Sequence, residues 1–138
     1  MKEKKILIVL ASFYKDISSE MFKALKEHDY ADKEKYFTNM INVPGIFEIP
    51  ITISKYINNY DGFVALGCVI KGETPHFDFI SSSTTDAIMK LSIENKKPIG
   101  NGIITCLNKK QAKERTSKSV EALKAVVNVL SQSNKSYT

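Results

Sequence analysis

Phe63-Val64-Ala65-Leu66-Gly67-Cys68-Val69-Ile70, followed at once by Lys71-Gly72-Glu73-Thr74-Pro75-His76-Phe77-Asp78, is the stretch on which the fold turns. Its first half is apolar and broken only by Gly67, the pattern of a strand buried on both faces. Its second half reads as a sharp passage from strand to helix. Thr74 suits an N-cap, and Pro75 then falls at the first helical position, where its missing N–H costs nothing. The helix beyond carries Ile80, Thr84, Ala87, Ile88 and Leu91 on one face and runs to about Asn95. Backbone N–H groups and the positive end of the helix dipole point into such a turn and attract phosphate or another anion. His76 stands in the same turn, and histidine is the side chain best suited to moving protons near neutral pH. Anion affinity and a proton shuttle in one loop suggest a small enzyme acting on a phosphorylated metabolite.

Toward the amino terminus, Lys5 to Ala11 is a β-branched-rich run that predicts a first buried strand. Asp16 can cap a helix whose apolar positions are Ile17, Met21, Ala24 and Leu25. Glu34 to Val43 is a less apolar strand, expected nearer an edge, and Pro44-Gly45 ends it. Pro50 starts a helix with Ile53, Tyr56, Ile57 and Tyr60 at helical spacing, and Asp61-Gly62 opens the central strand. Toward the carboxyl terminus, Pro98 to Cys106 predicts a fourth strand. Gly100 and Gly102 within it signal the close approach of another backbone or a ligand. A short polar helix follows over Lys109 to Arg115. Ser117 restarts a helix with a Val120, Leu123, Val127 and Leu130 stripe, read as core or subunit packing, and the tail from Ser131 is polar.

The order is strand-helix four times with a final helix pair. Such alternation makes a parallel sheet covered by helices on both faces and joined by right-handed crossovers. Ligands bind these sheets beyond the carboxyl ends of the strands. Phe13, Pro44 to Glu48, Lys71 to His76, and Thr105 onward all fall on that one rim, and they are the unusual local sequences of the chain.

The 138 residues are expected to form one domain, 1–138, with a proper core. Composition is globular, at 43% hydrophobic and 25% charged. The net charge of +5 and a pI of about 9.1 favour anionic ligands but are too small and scattered to indicate nucleic acid. Cys68 and Cys106 lie in apolar runs without metal-ligand spacing and read as small buried hydrophobes in a reduced cytosol. Ile6 to Ala11 is too short for a signal peptide and continues into a helical pattern, and nothing is long enough to span a bilayer. A cytoplasmic protein without membrane or nucleic-acid partners is expected. His28 reads as an exposed helix residue. Phe13 offers a ring that can stack on a flat heterocycle. Glu48 can bind ligand hydroxyls, and Arg115 brings the bidentate guanidinium that suits a phosphate ester. Glu73 in an anion-binding turn would act through its backbone N–H. No dinucleotide fingerprint, Walker loop, metal cluster or Ser/His/Asp order is present.

Pro44-Gly45-Ile46-Phe47-Glu48-Ile49-Pro50, followed by Ala65-Leu66-Gly67-Cys68-Val69-Ile70-Lys71-Gly72-Glu73-Thr74-Pro75-His76-Phe77-Asp78, closely resembles the lumazine synthase family, with similarity extending from Ile6 to about Leu130. The resemblance implies condensation of 5-amino-6-(D-ribitylamino)uracil with 3,4-dihydroxy-2-butanone 4-phosphate to 6,7-dimethyl-8-ribityllumazine, without metal or organic cofactor. It implies that Phe13 stacks on the pyrimidine, and that Ile46, Phe47, Glu48, Cys68, Val69 and Ile70 line the uracil and ribityl pocket. It further implies that Glu73 and Thr74 hold the phosphate with Arg115 and Lys118, and that His76 transfers protons. Homopentamers or their multiples, with sites between subunits, are implied as well.

Three departures stand out. Ala11-Ser12-Phe13-Tyr14 replaces the family's usual Ala-Arg-Phe-Asn. Asn101 occupies a position often held by an aromatic residue from a neighbouring subunit; it can hydrogen-bond a pyrimidine edge but not stack. The loop between Arg115 and Lys118 is shorter than usual. The expected fold class is an α/β three-layer α-β-α sandwich with a four-stranded parallel sheet, flavodoxin-like. A flavin-binding module without catalysis would use Phe13 but leave Arg115 superfluous. A basic RNA-binding protein would need aromatic-basic clustering that the sequence lacks.

Overall fold

The structure is a computed structural model and describes residues 4–27, 36–73 and 76–137. Its elements are β1 (Lys4–Ala11), α1 (Lys15–Glu27), β2 (Tyr36–Val43), a 3-10 turn (Ile46–Glu48), α2 (Ile49–Lys55), β3 (Gly62–Ile70), α3 (Phe77–Asn95), β4 (Ile99–Cys106), α4 (Lys109–Glu114) and α5 (Lys118–Leu130). His28 lies outside the described residues.

The strands form one parallel sheet in the order β2-β1-β3-β4. Val9 pairs with Ile41 on one side and Ala65 on the other, and Ala65 pairs in turn with Asn101. Alternate side chains of a strand point to opposite faces, and the chain uses both. Ile6, Ile8 and Leu10 join Ile17, Met21 and Leu25 of α1 and Ala122, Leu123 and Val126 of α5 in one core. Leu7, Val9 and Ala11 join Ile49 and Ile53 of α2 and Ile88 of α3 in the other. Helices on both faces make the three-layer, flavodoxin-like sandwich. All nine positions of β3 are buried, which is why its sequence shows no alternation. β2 is an edge strand, in keeping with its polar character.

Three local readings change. α3 begins at Phe77 with His76 as its N-cap, two residues beyond the expected Thr74 cap, and Thr74 and Pro75 lie outside the described residues. His76 adopts left-handed backbone angles (φ 57°, ψ 38°), so the chain enters the helix through a kink rather than through a side-chain cap. α2 stops at Lys55, so Ile57 and Tyr60 are not helical. Tyr60 instead lies edge-on to Tyr56 and Phe63, with centroids 6.4 and 6.0 Å away. The buried stripe of α5 is Val120, Ala122, Leu123 and Val126, with Val127 and Leu130 only half-buried. The close approach expected at the β4 glycines is present, from α5 at Gly100 and from β3 and α5 at Gly102. A Cβ on Gly100 would collide with the Ala122 backbone carbonyl of α5, and one on Gly102 would collide with the Leu66 side chain of β3 and reach within 3.2 Å of the Ala122 methyl. Ser119 locks the same helix to α1 by donating its hydroxyl hydrogen to the Met21 carbonyl at 2.9 Å.

Gly100→Ala is therefore expected to destabilise the protein by about 1–3 kcal/mol through overpacking, read as a lower urea midpoint with an unchanged slope.

Candidate active site

The chain leaves β1 toward β2 on one side and leaves β3 toward β4 on the other, so the connections diverge between β1 and β3. In open α/β sheets such a switch point leaves a crevice at the carboxyl ends of the strands. Here it holds a cleft of about 220 Å³ lined by Phe13, Gly45, Ile46, Phe47, Cys68, Val69 and Ile80. Three separate strand ends and the first turns of α3 thus meet around one apolar hollow.

Each wall has a local cause. Phe13 follows β1 directly, and its ring is 67% exposed at the mouth. Ile46 and Phe47 sit on the 3-10 turn after β2. Gly45 starts that turn, and its N–H donates to Glu48 Oε1 at 2.9 Å, so the Glu48 carboxylate braces the loop from within. Gly67 makes the space beneath. A Cβ there would come within 2.6 Å of Ile46 Cγ2 and 3.1 Å of the Ala11 methyl. Without this glycine, Ile46 could not rest against β3, and the turn would be lifted from the sheet.

The polar end of the rim lies over β3 and β4. Gly72 takes a positive φ of 89°, which suits glycine, and turns the chain out of β3. The Glu73 N–H donates to the Ile70 carbonyl at 3.2 Å. That donor is thus engaged within the turn rather than offered to an anion, contrary to the expectation from sequence. Arg115 caps α4 at its carboxyl end, and its Nη1 donates to the Thr105 carbonyl at 3.2 Å and lies 4.0 Å from Cys106 Sγ. The guanidinium is anchored to the end of β4 by one nitrogen and has five N–H donors in all. His76 is exposed one helical turn before Ile80. Its carbonyl accepts the Ile80 N–H at 2.9 Å, which ties the imidazole-bearing residue to the cleft wall. Left-handed geometry at a non-glycine residue costs about 1–3 kcal/mol and is concentrated at functional positions.

Not every expected residue meets the cleft within one chain. Ile70 is fully buried in the α1/α5 core. Glu48 is not part of the cleft lining; it is half-buried, with one carboxylate oxygen on the Gly45 N–H. Lys118 opens α5 and pairs with Glu121 at 3.9 Å. Asn101 is exposed near the start of β4, where its Oδ1 accepts the Ile103 N–H at 3.1 Å. Conversely, Gly45 and Ile80 line the cleft and Gly67 shapes it. Sequence reasoning had treated Ile80 as core and left Gly67 without a role. A glycine inside an otherwise continuous buried strand was the available signal for the latter.

Cys68 and Cys106 are free, buried thiols on neighbouring strands. Burial, reinforced by Cys106 beside it, pushes the Cys68 thiol up to about 12, so at neutral pH it is an uncharged part of the wall. Among the described residues, no three His, Cys, Asp or Glu side chains group to hold a metal ion, and no helix is long and apolar enough to cross a membrane. Because the thiolate is the reactive form, native Cys68 should resist iodoacetamide at pH 8 and react at least about tenfold faster once urea unfolds the chain. Mass spectrometry of alkylated peptides would measure this.

Comparison with known proteins agrees with this architecture. The family model described as 6,7-dimethyl-8-ribityllumazine synthase matches residues 3–134. The chain is 41% identical over 127 residues to the 6,7-dimethyl-8-ribityllumazine synthase of Agrobacterium fabrum, covering 86% of this chain and 84% of that one. It is 43% identical over 117 residues to that of Bartonella tribocorum, covering 83% and 76%. It is 35% identical over 131 residues to that of Corynebacterium kroppenstedtii, covering 89% and 80%. With its parallel sheet, its switch-point cleft and a match over nearly its whole length, this chain belongs to the 6,7-dimethyl-8-ribityllumazine synthase family.

Proposed function

We propose that the protein is a lumazine synthase of riboflavin biosynthesis. It is a transferase that condenses 5-amino-6-(D-ribitylamino)uracil with 3,4-dihydroxy-2-butanone 4-phosphate, giving 6,7-dimethyl-8-ribityllumazine, phosphate and water. The observation that carries this reading is family membership across residues 3–134. The cleft between β1 and β3 supports it.

The Phe13 ring stacks on the pyrimidine, and Ile46, Phe47, Cys68 and Val69 give it an apolar wall, backed by Ile70. Glu48 keeps one oxygen on Gly45 and offers the other to ribityl hydroxyls. The butanone phosphate binds against Arg115 beside the Gly72 turn, close to Glu73 and Thr74 and with Lys118 adding positive charge nearby, while the Glu73 N–H stays on the Ile70 carbonyl. Holding amine and carbonyl side by side supplies most of the acceleration, because imine formation between bound partners is effectively unimolecular. His76 moves the protons that accompany loss of phosphate and ring closure. The reactants are themselves an amine, a carbonyl and a good leaving group, so no metal or organic cofactor is needed.

The working unit is a homopentamer or a multiple of one, in which a neighbour's Asn101 completes the site by hydrogen-bonding the pyrimidine edge. Exposed apolar side chains on α2 (Ile51) and α3 (Phe79, Met89, Ile93) support such assembly. Residues 1–138 act as one domain, and the free thiols support residence in the cytoplasm.

Mixing the protein with both substrates should generate lumazine fluorescence; none from folded protein would overturn the reading. His76→Ala should slow turnover by no more than about 100-fold, the low end for general acid–base catalysis, because positioning survives. Complete loss of turnover in a folded variant would contradict the role given to His76. Arg115→Ala should raise KM for the phosphate substrate by about 10- to 100-fold, as expected for a lost charged hydrogen bond, with KM for the pyrimidine nearly unchanged in steady-state assays.

A further inference from the structure

The Phe13 ring is two-thirds exposed, so core packing alone cannot fix its plane. Tyr14 meets it from the side, edge to face, with centroids 5.0 Å apart and planes at 81°. Tyr14 is anchored where Phe13 is not. It is half-buried against the α1/α5 core, and its carbonyl accepts the Ser18 N–H at 3.0 Å in the first turn of α1. Lys109, the first residue of α4, reaches across to the same corner. Its Nζ lies 3.0 Å from Asp16 Oδ2 and 6.0 Å from the centre of the Tyr14 ring. The hydrogen bond from Lys109 holds the Asp16 carboxyl below its usual range, and α4 is itself capped by Asn108, whose Oδ1 accepts the Gln111 N–H at 2.9 Å. Two helices and the core therefore converge on the ring that braces Phe13.

We infer that Tyr14, faced by a Lys109 that Asp16 holds in place, is a positioning residue that sets the plane of the Phe13 ring at the cleft mouth and thereby governs affinity for the flat pyrimidine substrate. The inference rests on the proposed role of Phe13. It singles out one substrate: Tyr14 touches the ring at the apolar end of the rim, while the phosphate would bind at the far end, over β3 and β4. An exposed ion pair is worth little by itself, so Lys109 acts mainly by holding the tyrosine face and makes the smaller contribution.

The test compares the intact protein with Tyr14→Leu, Tyr14→Phe and Lys109→Gln. It measures KM for each substrate, the Kd of a non-reactive ribityl-uracil analogue by calorimetry, and Tm. Tyr14→Leu should raise the pyrimidine KM and the analogue Kd by about three- to tenfold, the span of a lost aromatic pair. The phosphate-substrate KM should move by less than about twofold, and Tyr14→Phe should restore both pyrimidine readings. Lys109→Gln should shift them in the same direction by about twofold. Equal pyrimidine affinity in Tyr14→Leu would overturn the inference, as would a parallel rise in both KM values with no rescue by phenylalanine. If the wild-type protein neither turns over nor binds the analogue, the reading of the site itself falls. An active wild type with unmoved variants removes only the role of Tyr14.

Discussion

The parallel pairing of β1 with β3, from Ile6 opposite Gly62 to Leu10 opposite Leu66, is the constraint on which the rest depends. It brings side by side two strands separated by a helix, an edge strand and another helix. Right-handed crossovers then leave little choice. The passage from β1 out to β2 puts α1 on one face. The passage back over β1 to β3 puts α2 on the other, and α3 follows α2 because β4 continues in the same direction. The two cores, one built on Ile6, Ile8 and Leu10 and the other on Leu7, Val9 and Ala11, are the direct result.

The same pairing makes the cleft. Because the connections after β1 and β3 run apart, their first residues cannot cover the gap between the strand ends. The chain partly closes it from elsewhere, with the 3-10 turn after β2 and the first turns of α3. Gly67 is what lets the 3-10 turn settle low enough to form a wall. The Glu48 carboxylate then holds the turn in shape through the Gly45 N–H. A buried strand position without a side chain and a carboxylate turned inward are both unusual choices for stability alone, and together they produce an apolar hollow with a braced rim.

The two ends of the rim differ in chemistry because different neighbours supply them. Over β1 and β2 the surface is aromatic and aliphatic, from Phe13, Ile46 and Phe47. Over β3 and β4 it is polar, with the Gly72 turn and Arg115, whose guanidinium is tied to the Thr105 carbonyl. A ligand with a flat ring at one end and an anionic partner at the other matches this gradient. Lys109 and Asp16 join the two helices that flank the aromatic end, so the exposed Phe13 stands on a supported corner although it has little packing of its own.

Periodicity and punctuation determined a good deal without coordinates. The buried run from Phe63 to Ile70, the strand-helix alternation and the gathering of odd local sequences at strand ends were all legible, because burial on one or both faces leaves a period in the residues themselves. The polarity of β2 even indicated an edge. Where elements stop was less legible. Tyr56, Ile57 and Tyr60 keep helical spacing, yet α2 ends at Lys55 and Tyr60 lies edge-on to Tyr56 and Phe63. What only the tertiary structure decided was partnership: that β1 lies between β2 and β3, that Gly100 makes room for α5 and Gly102 for Leu66, that Ile80 faces the cleft, and that Asn101 stands clear of it within a single chain. A sequence pattern reports that a side chain is buried but not what it is buried against, since contacts between residues far apart in the chain are set by how whole layers pack.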